Sequence, residues 1–186
     1  MTGTLIHYVT QSADGFIEGP NGEFDWTVMD PELSAYSHEL TDHADAFLYG
    51  RKVWDMMSSY WPHAEEHSDH AHDLAFAAVW REMPKIVVSR TLEKADWNTR
   101  VINDNVADEI RAIKAAGTNL LLTGGSSLAG HLTEHGLIDE YRITVHPTVL
   151  GGGKPVFQDP ERFKLRLIES RIFDSQVVLL RYAPTT

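Results

Sequence analysis

Three points in the chain place glycines, hydroxyls or cations directly after a short apolar run, and each has the make-up of an anion cradle. The first is Tyr49-Gly50-Arg51-Lys52. A glycine at a strand end lets the backbone approach an anion closely, a following helix offers free N–H groups, and two cations add charge-assisted hydrogen bonds. The second is Ser89-Arg90-Thr91, a hydroxyl, a guanidinium and a hydroxyl suited to a phosphate monoester. The third is Thr123-Gly124-Gly125-Ser126-Ser127, where consecutive glycines and hydroxyls before a helix can cradle a pyrophosphate. Each also has a bland reading: a glycine turn with two solvated cations, a polar loop, a turn with a serine cap. A cap, however, needs neither two glycines nor a second serine. Neither the six-residue glycine fingerprint nor the lysine-ending phosphate loop is present, so a dinucleotide would be held in some other way.

Other residues invite chemistry less directly. Asp14, in Ser12-Ala13-Asp14-Gly15, could be a polar group on the substrate side, although Asp-Gly after a strand is also a common turn whose carboxylate bonds its own backbone. Phe16 and Trp26 could stack on a flat substrate or simply pack. His63, His67, His70 and His72 crowd a stretch with Glu65, Glu66, Asp69 and Asp73. Histidines four apart on a helix can share an ion, but an acidic segment of this kind reads as a solvated loop, and no metal is expected. Ser126-Ser127 lacks the Gly-x-Ser-x-Gly elbow of a hydrolase.

Composition narrows the classes further. With 27 acidic against 16 basic residues the formal charge is −11, which repels nucleic acid. No cysteine occurs among the 186 residues, so thiolate nucleophiles and cysteine metal sites are excluded. No stretch approaches the roughly 18 apolar residues of a membrane span, and the cytoplasm is the expected compartment. The length suits one domain over 1–186.

The elements that must position these groups alternate in type. Strands are expected at Leu5 to Thr10, Ala46 to Tyr49, Lys85 to Val88 and Asn119 to Thr123. Between them, helical patterns follow Asp30-Pro31 and Gly50, cover roughly Asp69 to Arg81 and Val106 to Ala116, and run from Ser127 to His135. After Ile138 only strand-like segments follow, at Tyr141 to Val145, Phe163 to Ser170 and Val177 to Tyr182. The expected fold is α/β: a mixed central sheet flanked by helices, parallel early and antiparallel at its end.

In this order the motifs resemble dihydrofolate reductase and, more closely, the bacterial reductases related to the C-terminal domain of the bifunctional riboflavin-biosynthesis deaminase-reductase. The likeness rests on Ser12-Ala13-Asp14-Gly15-Phe16-Ile17, Gly50-Arg51-Lys52 with Trp54, Val88-Ser89-Arg90, Leu122 to Leu128, and Val149-Leu150-Gly151-Gly152-Gly153-Lys154-Pro155-Val156-Phe157. It implies a dihydrofolate reductase-like domain binding NADPH. Gly50, Arg51 and Lys52 would lie near the phosphates, Ser89, Arg90 and Thr91 at the adenosine 2′-phosphate, and Thr123, Gly124, Gly125, Ser126, Ser127 and Leu128 along the pyrophosphate. Val9, Thr10 and Ile17 would approach the nicotinamide, with Asp14, Phe16 and Trp26 on the substrate side and Asp14 as the catalytic candidate.

The departures bear on substrate. Val53 stands where dihydrofolate reductases carry a phosphate-binding threonine, and Ala129 replaces their usual aromatic. The interval that brings their pterin-binding carboxylate before the Gly-Arg pair falls here on Ser34, with Glu32 two residues earlier. A serine cannot pair with an amidine-like edge as a carboxylate does, so the expected substrate is another small heterocycle or a ribosylamino compound. A binding module of the same fold without catalytic activity is the alternative. Relatives of this fold commonly form homodimers, and Phe157, Phe163 and Phe173 could supply an apolar interface or be core.

Overall fold

The inner strands are near-continuous apolar runs, Ala46-Phe47-Leu48-Tyr49 and Leu120-Leu121-Leu122, buried on both faces, so helices must cover both sides and the molecule has three layers. In the computed structural model, which describes residues 1–158 and 161–185, the strands and helices follow in order: β1 (Leu5–Ser12), β2 (Phe16–Glu18), α1 (Pro31–Asp42), β3 (Ala46–Gly50), α2 (Arg51–Tyr60), a 3-10 segment (Trp61–Glu66), α3 (Ala71–Glu82), β4 (Lys85–Val88), β5 (Thr99–Ile102), α4 (Val106–Ala115), β6 (Leu120–Thr123), α5 (Ser126–Glu134), β7 (Glu140–His146), β8 (Lys154–Pro155), β9 (Lys164–Ile172) and β10 (Val178–Thr185). The central sheet has eight strands in the order β5-β4-β3-β6-β1-β7-β10-β9. Its first six are mutually parallel, and β10 runs antiparallel to both β7 and β9. β2 and β8 pair separately.

Residues of β3 show the layering. Leu48 faces a core shared with Leu5, Leu120, Leu122, Ile110 and Leu132, whereas Phe47 and Tyr49 face one shared with Leu33, Phe76 and Trp80. Trp80 is fully buried and its indole N–H donates to the Tyr49 hydroxyl at 3.1 Å. α4 and α5 therefore cover one face, and α1 and α3 the other.

The structure departs from the sequence expectation in places with physical causes. The antiparallel part begins only at β10, because β7 is parallel to β1 from Ile6↔Glu140 to Ser12↔His146. β2, β5 and β8 were not expected; each has two to four residues and owes its existence to a partner strand. Phe173 is core at 1% exposure, and Phe157 and Phe163 pack around Tyr141. The apolar side chains that do reach solvent on that edge are Leu167, Ile168 and Ile172.

The antiparallel edge is closed by charge. Glu140 accepts from Arg142 Nε and from Arg181 Nε, both at 2.7 Å, and Arg181 Nη1 donates to Glu169 at 2.6 Å. Arg142 also donates to the Tyr36 hydroxyl at 3.1 Å. Strand register places these residues opposite one another, Arg181 against Arg142 on one side and Glu169 on the other. Among the described residues no helix is long and apolar enough to cross a membrane.

Candidate cofactor and substrate site

β3 lies between β4 and β6, with Gly50 in register with Val88 and Leu48 with Leu122. The three carboxyl-terminal strand ends, and with them the three candidate anion motifs, therefore stand side by side. Gly124 and Gly125 both have positive φ, +60° and +68°, a conformation in which a Cβ is strained. Their turn leads the chain from β6 straight into α5. Helices α2 and α5 begin on Gly50 and Gly125 without a side-chain cap, while α1 and α3 are capped by Asp30 and His70. The two uncapped ends are close, for a Cβ on Gly50 would stand in ordinary contact with Leu128 Cβ at 3.6 Å. The first turns of both helices thus keep backbone donors available for an anion.

The buried polar groups around this turn fit such a ligand. The Gly124 N–H donates to the Tyr8 carbonyl at 3.0 Å, and Nε2 of His7 lies 3.0 Å from the Gly124 carbonyl oxygen. An N–H on that nitrogen fixes the turn from below. Burial brings the His7 pKa down to about 4, so the ring is neutral and its tautomer serves the carbonyl. Ser126 Oγ is buried at the start of α5 without a hydrogen-bond partner among the described residues. His7 had no signature in the sequence, because its role depends on β1 and β6 being neighbours.

The basic residues are distributed along the same edge. Arg51 is exposed and its Nε donates to both Asp55 oxygens, at 2.8 and 2.9 Å. Lys52 lines an open cleft of about 580 Å³ with Ser127, Lys154 and Gln158, and the Ser127 hydroxyl donates to Gln158 at 2.7 Å. At the end of β4 the Ser89 hydroxyl is buried and accepts from the amides of Thr91 and Leu92 at 3.3 and 3.1 Å, so it holds the turn. Arg90 and Thr91 are exposed beside it, and Arg90 has no side-chain partner among the described residues.

A cavity of about 270 Å³ opens from the Gly124-Gly125 turn toward α1 and α3. Val9, Thr10 and Ile17 line it, as do Thr123, Gly124 and Gly125. The residues expected on the substrate side do not. Asp14 is exposed, accepting from Ser12 Oγ at 2.7 Å and from the amides of Leu150 and Gly151 at 3.1 and 2.8 Å. These bonds, Ser12 foremost, hold its carboxyl below the usual carboxylate range and make it a clasp between two loops. Phe16 pairs with Pro155 across β2 and β8. The clasped loop passes close by, for a Cβ on Gly153 would fall 2.0 Å from the Glu18 carbonyl oxygen. Trp26 meets the buried His146 edge-on at 5.8 Å and donates from Nε1 to the Glu23 carbonyl.

The apolar walls come from residues that sequence reasoning did not select, Phe24, Met56, Met57, Trp61 and Phe76, and His72, noted in the sequence only within its histidine-rich run, joins them as a polar group. Ser34 takes no part in the lining; its hydroxyl lies 2.7 Å from Nδ1 of His72. Glu32 pairs with Arg171. The other histidines of that stretch go separate ways: His63 to Glu66 at 3.5 Å, His67 stacked on Tyr60 at 5.8 Å, and His70 capping α3. Elsewhere, exposed His131, Glu134 and His135 bring ligand-type atoms within 4.8 Å of one another.

Known proteins share this fold. The family model of the RibD C-terminal domain matches residues 4–179. The chain belongs to the RibD C-terminal domain family. A family relative, the uncharacterised protein YyaP of Bacillus subtilis (strain 168), is 38% identical over 183 residues, covering 96% of this chain and 93% of its own. Among solved structures, a protein of Shewanella sp. PV-4 described as a candidate riboflavin biosynthesis protein superposes with a TM-score of 0.78 at 24% identity, over the whole of both chains. The diaminohydroxyphosphoribosylaminopyrimidine deaminase/5-amino-6-(5-phosphoribosylamino)uracil reductase of Thermotoga maritima gives 0.71 at 16% identity, with 99% of this chain matching 57% of that one. Dihydrofolate reductase of Enterococcus faecalis, complexed with NADP(H), gives 0.68 at 16% identity, covering 100% of this chain and 99% of its own. The dihydrofolate reductase-like fold expected for this member of the RibD C-terminal domain family is thus the fold observed.

Proposed function

We propose that the chain is an NADPH-dependent reductase acting on a small molecule held in the 270 Å³ cavity. The observation that carries this reading is the pair of uncapped, glycine-started helices, α2 and α5, starting side by side, with the Gly124-Gly125 turn and the Val53, Met56 and Met57 side chains of α2 lining one apolar cavity. Bound there, the reduced nicotinamide would supply the hydride.

The rest is the work of the chain. Gly124, Gly125 and the first amides of α5 would hold the pyrophosphate, with Ser126, Ser127 and Leu128 forming that turn. Gly50 and α2 present the second set of amides, and Arg51 and Lys52 add charge at the rim. Arg90, with Thr91 beside it, would take the adenosine 2′-phosphate, while Ser89 shapes the loop that presents them. Val9, Thr10 and Ile17 wall the nicotinamide end, and His7 orients the glycine turn through the Gly124 carbonyl. The apolar walls exclude water from the reacting atoms, and the donors are already in place before a ligand arrives.

The test is fluorescence titration with NADPH and, separately, NADH. Wild-type protein is expected to prefer NADPH, and Arg90→Ala to lose about tenfold to a hundredfold in NADPH affinity while NADH changes little. If neither nucleotide binds, the reductase reading fails.

A further inference from the structure

The residues that line the cavity restrict its occupant as well as its shape. No lysine, arginine or aspartate is among them, and the one group charged at neutral pH is Glu18, an acid. Besides Glu18, the polar side-chain groups are the hydroxyls of Tyr8, Thr10, Ser37, Thr41 and Thr123, the indole N–H of Trp61, which donates to Met57 Sδ at 3.1 Å, and the imidazole of His72. A phosphate placed among Met57, Trp61 and Phe76 would lose its water and find no counter-charge, which is among the most costly transfers a site can require. Flat apolar rings, in contrast, gain from aromatic faces and from methionines that adapt to their outline.

His72 is the distinctive polar group. It sits in the first turn of α3, 9% exposed, with its ring stacked on Phe76 at 6.0 Å and tilted against His38 at 5.4 Å. Its Nδ1 is committed to Ser34 at 2.7 Å, leaving Nε2 as the ring's free hydrogen-bonding atom among the described residues. When Ser34 donates, the ring proton is on Nε2 and the histidine is a donor. Burial first, and then His38 and His70 nearby, lower its pKa against the opposing charge of Asp73, which favours the neutral ring. The position where a carboxylate could have stood on α1 thus holds a hydroxyl that orients an imidazole from α3.

We propose that the cavity takes an uncharged, flat, mostly apolar carbonyl compound without a phosphate, and that His72, set by Ser34, donates the hydrogen bond to its oxygen. The proposal rests on the reductase reading for the assignment of the neighbouring Lys52–Lys154 cleft to the cofactor's phosphates. That cleft shares Glu18 with the cavity and is where a substrate phosphate would have to go if the proposal is mistaken.

Isothermal titration with three probes of one ring system tests it: 1-acetonaphthone, naphthalene and 1-naphthyl phosphate, each against wild type, His72→Phe and Ser34→Ala. Wild type is expected to bind the ketone at least about tenfold more tightly than the phosphate, and about fivefold more tightly than naphthalene. Both variants should bring the ketone-to-naphthalene ratio close to one while naphthalene affinity holds. Ser34→Ala carries the test if His72→Phe does not fold. Phosphate binding equal to or tighter than the ketone, no ketone binding, or an unchanged ratio in Ser34→Ala overturns the proposal. A parallel NADPH titration separates the two failures, since loss of dinucleotide binding counts against the reductase reading whatever the naphthyl probes do.

Discussion

The two edges of the sheet handle polar groups in opposite ways. On the parallel side, at the ends of β3, β4 and β6, glycines begin helices without side-chain caps, Arg90 is unpaired among the described residues, and Ser126 Oγ is buried without a partner. On the antiparallel side Glu140 is shared between Arg142 and Arg181, which in turn holds Glu169. A polar group left unpaired keeps its bonding capacity, so the glycine-started strand ends are where the proposed dinucleotide would complete the structure, whereas the Glu140 cluster is completed by the fold itself. The strongest way to break this contrast is to close the open edge. Gly125→Ala puts a Cβ on a residue with φ of +68°. The backbone must either bear roughly 1–2 kcal/mol of strain or rotate its amide away from the ligand. Losing two or more charge-assisted bonds in that way is expected to reduce dinucleotide affinity by about a hundredfold or more, measured by fluorescence titration, with a modest fall in melting temperature.

The converse experiment opens the closed edge. Glu140→Gln should leave dinucleotide binding as it is and destabilise the protein by roughly 2–3 kcal/mol in urea unfolding, because two arginines lose a charged acceptor in a part-buried setting. The effect has a pH signature. Burial pushes the Glu140 carboxyl up, but the hydrogen bonds and charges of Arg181 and Arg142 outweigh it and hold the pKa below the ordinary glutamate value of 4.5. Its contribution is therefore complete above about 4.5 and is lost as pH falls through the lower folded-state value. Wild type and variant should converge in stability in that acidic window. A difference that persisted there would mean that shape, not charge, holds the edge.

The open edge was the more legible of the two in the sequence, and the reason is conformational. Consecutive glycines between an apolar run and a helix are favoured where the backbone turns left-handed, so the turn at Gly124 and Gly125 could be read from the local motif. The charge cluster could not, since Glu140, Arg142, Glu169 and Arg181 meet only across strand register. His72 was hidden for a similar reason. It lay in a run whose bias suggested a solvated loop, and its partner Ser34 stands 38 residues earlier on another helix. The short strands β2 and β8 carry too few residues for a period to show, and β5 follows two residues of positive φ, Trp97 and Asn98, which conceal its start.

Asp14 gives the smallest expected effect and a sharp test of the contrast, because the sequence offered it for the open edge and the structure assigns it to closure. A carboxylate in an Asp-Gly turn and a carboxylate facing a substrate look alike in sequence; they differ in where their lone pairs go. Here both oxygens are engaged, by Ser12 Oγ and by the amides of Leu150 and Gly151. Asp14→Asn keeps one carbonyl oxygen as an acceptor but replaces the other with an amide that cannot accept. The loop of residues 147–153 should then exchange its amide hydrogens faster, while NADPH affinity stays within about twofold, since no phosphate donor is touched. The pH dependence of any turnover should also be unchanged in the variant. If that profile shifts instead, the carboxylate reaches the reacting atoms in the working enzyme and belongs to the open edge after all.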